Sequence, residues 1–193
     1  MGQKGSGKDI KPIFSIDWES WMNAVIPKER WDSLDCRIQN TTNFLLGILD
    51  KYEVKAIIYS LGWLEDKYPN YIGLFKYAGH LVGSHGYWHG RNEYEPGLFR
   101  SPYWDKSDIP LPPSGGFFFR AMPLSYVKWA VKKSGMFWIH PHDVDEFHPI
   151  LEDKLLNWKR HIGLKTARKK LDCLLNEVEF DDPWEYFNAS QPS

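Results

Sequence analysis

Four short apolar runs along the chain predict buried strands. They cover residues 12–17, 54–59, 80–84 and 136–140. Runs of four to eight residues that are rich in β-branched or aromatic side chains are typical of strands in a sheet interior. We therefore expect one sheet built from these four segments.

Between the runs, apolar positions recur at helical spacing. Helices are predicted at residues 40–52, 63–77, 124–133 and 151–178, the last as one or two helices. Pro69 must lie at a break, because proline is not tolerated inside a helix. Residues 83–123 are rich in Pro and Gly, which favours loops and short extended pieces. The alternation of strands and helices predicts a single-domain α/β fold with a largely parallel sheet.

Three of the predicted strands end at a residue that can do chemistry. Asp17, His85 and His140 each lie at or just after a carboxyl end. Parallel α/β sheets and barrels place their active sites at this edge. We therefore expect one active site there.

Composition narrows the class of protein. The chain has 193 residues, 42% of them hydrophobic and 25% charged, with a formal net charge of -1. This describes a globular protein and gives no electrostatic reason to expect nucleic acid or an anionic membrane as a partner. Ten Trp residues exceed the need of a core of this size; such rings stack on sugar faces, or they fill the core.

The chain ends and the cysteines complete this picture. We expect a flexible N-terminal segment at 1–11, a catalytic domain at 12–180 and a tail at 181–193. The two cysteines, Cys36 and Cys173, form no disulfide framework or metal motif, which favours a reducing compartment. No apolar stretch suits a signal peptide or a membrane span, so the sequence indicates a cytoplasmic protein.

An acidic pair and a histidine pair are the candidates for proton transfer and metal binding. Asp17 and Glu19 lie two residues apart at a strand end, where one carboxylate can bind a cation and the other can take a proton. Such a pair is also typical of a solvated turn or a helix cap.

His85 and His89, four residues apart, would share one side of a helical turn and reach one metal ion. An isolated pair of this kind is also common as exposed histidines. Together, two imidazoles and a carboxylate form a known hydrolytic metal site.

Four ordered motifs carry a family resemblance. FSIDWE, GHLVGSHGYWH, FRSPYW and WIHP resemble the motifs of the NodB-type polysaccharide deacetylases, carbohydrate esterase family four. The resemblance implies a trimmed, distorted (β/α) barrel. It also implies a metal-dependent N-deacetylase that acts on an acetamido sugar.

The resemblance also implies a role for each residue. Asp17 would be the general base and His140 the general acid. Arg100 would orient the base, and the backbone amide at Tyr103 would help to bind the oxyanion. Glu19, His85 and His89 would hold one divalent ion, with Zn²⁺ as the first choice and Fe²⁺, Co²⁺, Mn²⁺ or Ni²⁺ as alternatives.

The stretches SGGFFFRAMP and WIHPHDVDEFHP resemble a subgroup associated with bacterial surface polysaccharide synthesis, such as O-antigen, lipopolysaccharide or capsule. The substrate would be a nucleotide-linked, lipid-linked or oligosaccharide acetamido sugar. Two alternatives remain: a non-catalytic sugar-binding protein on the same scaffold, and a cyclic-amide hydrolase. The sequence does not specify the oligomeric state.

The chain also departs from the family pattern. The interval between His89 and Arg100 is too short for the helix and strand that the family has there. The aspartate that supports the acid histidine is not evident either, and Asp105, Asp143 and Asp145 all stay open as replacements. His142 and His148 are interpreted as loop residues or as supports of the site, and not as a second metal site.

Overall fold

The computed structural model describes residues 11–89 and 112–185. The strands of this part are β1 (Ile13–Trp18), β2 (Ala56–Ser60), β3 (Leu81–Ser84) and β4 (Met136–Ile139). The helices are α1 (Ile38–Lys51), α2 (Gly62–Lys67), α3 (Pro69–Tyr77), α4 (Gly116–Ala121), α5 (Leu124–Ser134), α6 (Lys154–His161) and α7 (Leu164–Glu177). Short 3-10 helices cover Lys28–Ser33 and Pro141–Val144.

All four strands are parallel and lie in the order β3-β2-β1-β4. The α/β class and the parallel sheet predicted from the sequence are confirmed. In the described ranges the sheet is open, with β3 and β4 at its edges, so the expected barrel does not close there. Four strands are half of the eight that close a (β/α) barrel.

The helices match the predicted ones closely. Pro69 begins α3 and separates it from α2, as its missing amide hydrogen requires. The stretch from 151 to 178 forms two helices, α6 and α7, with Gly163 at a positive φ between them. The short helix α4 lies where the sequence favoured loops.

The main core lies on one face of the sheet. Phe14, Ile16 and Trp18 alternate along β1 and all belong to the large apolar cluster, whereas Ile13 joins a small one on the other face. The Trp18 indole N–H donates to Thr42 Oγ1 at 2.8 Å and ties β1 to α1. Helix α1 is thereby fixed against the end of β1, where Asp17 and Glu19 lie.

The register brings the strand ends together. Trp18 lies beside Ser60, and Ser60 lies beside Ser84, so β1, β2 and β3 end at the same level. On the other side, Ile16 lies beside Ile139 of β4. The residues that follow these strands therefore meet at one edge of the sheet.

The helices of the described ranges include none with both the length and the apolar character that a bilayer crossing requires.

From the burial of His80 we predict that the free energy of unfolding falls in acid. Its Nδ1 accepts a hydrogen bond from the Ala56 amide at 3.2 Å, and burial lowers its pKa from 6.5 to about 4. The neutral ring stabilises the fold fully above pH 6.5, and this contribution falls as the pH drops towards 4, since the unfolded chain takes the proton first. We expect a loss of about 2 kcal/mol or less.

Urea unfolding at pH 7 and pH 5 measures this loss. In His80→Asn, a side-chain oxygen can accept the same hydrogen bond without titrating, so the difference between the two pH values should shrink. An equal pH difference in both proteins would contradict this assignment.

Candidate metal centre

The carboxylates of Asp17 and Glu19 are buried where β1 ends. Asp17 is 3% exposed and Glu19 is 1% exposed. The Glu19 amide donates to the Asp17 carbonyl at 2.9 Å, so the chain bends sharply between them. This bend lets both side chains reach one site, and the interpretation of the pair as a solvated turn is wrong.

Glu19 lies against both histidines of the pair. Its Oε2 is 2.8 Å from His89 Nε2 and 3.6 Å from His85 Nε2. Ligand atoms of the three residues all lie within 4.8 Å of one another. The structure thus brings together the three residues that the sequence predicts as metal ligands.

The segment that carries the histidines is a loop, so the expected helical turn is wrong. The His85 amide donates to Ser60 O at 2.7 Å and extends the pairing of β3 with β2. Gly86 then has a φ of 77°, and His89 has a φ of 62°. Positive φ is uncommon outside glycine, and this conformation turns its ring back towards Glu19.

The three residues fit a divalent metal ion. Two imidazoles and one carboxylate are the donor set of hydrolytic zinc sites that keep a coordination position open. Ligands of a tetrahedral zinc ion lie about 3.3 Å apart, given bonds of about 2.0 Å. The distances of 2.8 and 3.6 Å around Glu19 bracket this value.

Electrostatics keeps Glu19 charged in spite of its burial. Burial alone would raise the pKa of Glu19, but the adjacent imidazoles of His85 and His89 and the charge of His140 hold it well below its ordinary value. For Asp17 the balance is reversed, because burial raises its pKa and the neighbouring imidazoles only partly offset this. The two carboxylates are therefore inequivalent, as separate roles require.

His140 enters the same site from the end of β4. Its Nε2 lies 3.6 Å from Glu19 Oε1, and its Nδ1 lies 2.9 Å from Asp143 Oδ2. The His140 amide also donates to Asp143 Oδ2, at 2.8 Å. Asp143 is therefore the aspartate that supports His140, a choice that the sequence left open. Asp145 pairs with Arg37 at 2.6 Å, and Asp105 lies outside the described residues.

Arg120 holds Asp143 in turn. Its Nε donates to Asp143 Oδ1 at 2.7 Å, and both side chains are buried. Its Nη1 contacts three backbone carbonyls at the end of α6, those of Lys159, Arg160 and Ile162. Burial alone would raise the pKa of Asp143, but Arg120 and His140 hold it well below its ordinary value.

The negative charge of Asp143 favours the protonated form of His140. Burial disfavours the imidazolium, but the hydrogen bond and the charge of Asp143 outweigh burial and raise the pKa of His140. Sequence reasoning missed Arg120. The only signal was its place in the motif SGGFFFRAMP.

His142 lies behind His140, with the rings stacked at 4.5 Å and 13°. Its Nε2 accepts from the Arg160 guanidinium. Donor atoms of His140, His142 and Asp143 are close enough to share an ion, but Arg120 and Arg160 already supply positive charge there, and this disfavours a second cation. His148 packs on Trp21, and its Nδ1 lies 2.8 Å from Pro149 O.

Arg100 and Tyr103, the remaining predicted site residues, lie outside the described residues.

Two families match this chain, each over less than half of its length. Residues 31–107 match the polysaccharide deacetylases. Residues 102–188 match a domain of unknown function, DUF3473. The first match supports carbohydrate deacetylation as the general activity.

Known structures resemble the chain at low sequence identity. A structure from Mycobacterium smegmatis described as a polysaccharide deacetylase shares 10% identity, with a TM-score of 0.47 over 92% of this chain and 90% of that one. A mutant of a CE4 family pseudoenzyme with restored enzymatic activity shares 15% identity, with a TM-score of 0.44 over 83% of this chain and 64% of that one. No curated protein matches the chain.

The site predicts one bound divalent ion per chain. With Zn²⁺ as the probe, isothermal titration should show a single tight site. Glu19→Gln and His85→Ala should weaken binding about a hundredfold or more, because loss of a mere supporting residue already costs about 10- to 100-fold. His161→Ala, a histidine outside the cluster, is the control and should bind as the wild type does. Unchanged affinity in Glu19→Gln would rule out this ligand set.

Proposed function

We propose that the protein is a metal-dependent N-deacetylase that hydrolyses the acetamido group of a sugar. The observation that carries this proposal is the convergence of Asp17, Glu19, His85, His89 and His140 at one edge of the sheet. Two inequivalent carboxylates and a supported histidine are the groups that hydrolysis of an amide needs. The partial match to the polysaccharide deacetylases supports the same reaction.

Glu19, His85 and His89 would hold the ion, with Zn²⁺ as the first choice and Fe²⁺, Co²⁺, Mn²⁺ or Ni²⁺ as alternatives. A bound divalent ion lowers the pKa of water towards about 7 and polarises an amide carbonyl. The donor set suits this use, because neutral imidazoles and one carboxylate leave net positive charge.

Asp17 would accept the proton of the attacking water. Burial raises its pKa, which makes the ionised carboxylate a stronger base than an exposed aspartate. His140 would donate a proton to the sugar nitrogen as the bond between carbonyl carbon and nitrogen breaks. The raised pKa of His140 favours the protonated ring that this role needs. The products are acetate and a free amino sugar.

The family resemblance adds two roles and a setting. Arg100 would orient Asp17, and the backbone amide at Tyr103 would bind the oxyanion. The stretches SGGFFFRAMP and WIHPHDVDEFHP support a place in bacterial surface polysaccharide synthesis, on a nucleotide-linked, lipid-linked or oligosaccharide substrate.

Acetate release from acetamido sugars tests the reaction. Asp17→Asn should lower kcat about 10²- to 10⁴-fold, the usual contribution of a general base, and should retain the metal, because all three ligands stay. Asp172→Asn removes an exposed carboxylate that pairs with Lys51, and it should leave turnover unchanged.

A metal-loaded wild type that releases no acetate would reject the deacetylase. Binding of sugar without turnover would then favour the sugar-binding alternative, and opening of cyclic amides would favour the other hydrolase.

Asp143→Asn tests the support of His140. The amide cannot hold an imidazolium as the carboxylate does, so kcat should fall about tenfold to a hundredfold with little change in KM. Asp145→Asn is the matched control, since it removes a buried aspartate that also pairs with arginine. Steady-state kinetics and thermal unfolding of both variants check this: the control should lose stability and keep kcat. Equal loss of kcat in both variants would mean that Asp143 acts only through loop stability.

A further inference from the structure

A cavity of about 470 Å³ is lined in part by His140, and its lining does not include Glu19, His85 or His89. Half-buried rings of Phe117 and Trp138 form part of its wall. The charged side chains of Lys159 and Arg160 form another part. None of these four residues takes part in the proposed reaction.

Charge in this cavity is unbalanced. Arg120 and Asp143 also line it, but they neutralise each other at 2.7 Å. Lys159 and Arg160 remain, and the ion pairs of the described residues include neither of them. The wall therefore carries two positive charges that the described residues leave uncompensated.

Arg160 is the more informative of the two. Its side chain is half-buried, and within the described ranges the one side-chain hydrogen bond of its guanidinium is with the ring of His142. A charge that is partly removed from water is destabilising unless a partner compensates it. Asp143 and Glu19 attract it only over longer distances. An arginine held in this way is suited to bind an anion.

His142 adds a second polar group to the same wall. Since its Nε2 accepts from Arg160, the proton of the neutral ring lies on Nδ1. That Nδ1 is buried and has no hydrogen-bond partner in the part of the chain that the structure describes.

We propose that this cavity is a subsite for an acidic group, a carboxylate or a phosphate, carried by the substrate sugar. The proposal rests on the deacetylase function and specifies its substrate class. His140 lines the cavity and would donate to the sugar nitrogen, so the sugar ring lies next to the cavity. Phe117 and Trp138 offer apolar surface to that ring. Arg160 and Lys159 bind the acidic group that the ring carries.

Binding of three related sugars tests the subsite. N-acetylglucosamine is neutral, its 1-phosphate carries a phosphate, and N-acetylglucosaminuronic acid carries a carboxylate. Calorimetry on the metal-loaded Asp17→Asn protein measures affinity without turnover. At least one acidic sugar should bind about tenfold or more tightly than the neutral one. The preferred sugar tells phosphate from carboxylate.

Two charge variants and a control assign the preference to the cavity. Arg160→Gln should remove most of the preference and change neutral sugar binding by about twofold or less. Lys159→Gln should weaken the preference about threefold, and it changes an exposed side chain, so it keeps the test valid if Arg160→Gln fails to fold. Lys169→Gln removes a positive charge outside the cavity and should keep the preference.

The outcomes separate this subsite from the deacetylase itself. Equal binding of all three sugars, or an equal loss for all three in the charge variants, would overturn the subsite. If the wild type deacetylates the neutral sugar and binds the acidic sugars no more tightly, the deacetylase function would stand and the subsite would be rejected. A charge-dependent preference without acetate release would keep the anion site and reject the deacetylase.

Discussion

The burial of Glu19 is the constraint around which the site is built. A carboxylate that is 1% exposed stays ionised only if positive or hydrogen-bonding groups surround it. His85, His89 and His140 are those groups, and they follow β3 and β4, which lie on opposite sides of β1, β3 with β2 in between. The parallel register of the sheet therefore does more than place the residues at one edge; it supplies the groups that offset the burial of the charge.

Charges continue outward from this centre in alternating order. Next to Glu19 lies His140, then the carboxylate of Asp143, then the guanidinium of Arg120. Each member stabilises the ionised form of its neighbour. Removal of one member therefore leaves the charge of its neighbour buried and without compensation. Arg160 is the exception, because it lies near this series without a carboxylate in contact, and this difference is the reason to assign it to a ligand.

The sequence predicted the frame of the site better than its interior. The strand ends could be predicted, because apolar runs that stop at Asp17, His85 and His140 are typical of strands that reach the active edge of a parallel sheet. The loop geometry around His89 could not, because a spacing of four residues suits a helical turn equally well. Arg120 could not be assigned either, since its contacts with Asp143 and the end of α6 join parts of the chain 23 to 42 residues apart.

The order of these parts along the chain has a consequence for biosynthesis. All three potential metal ligands precede residue 90, and the strands that carry them, β1 and β3, are joined through β2. β4, by contrast, is the last strand in the described sequence and adds to the free edge of β1. A nascent chain therefore contains the three proposed ligands about fifty residues before His140 is made, a count that follows from the numbering. The ribosome therefore makes the proposed ligands first and the proposed proton donor afterwards.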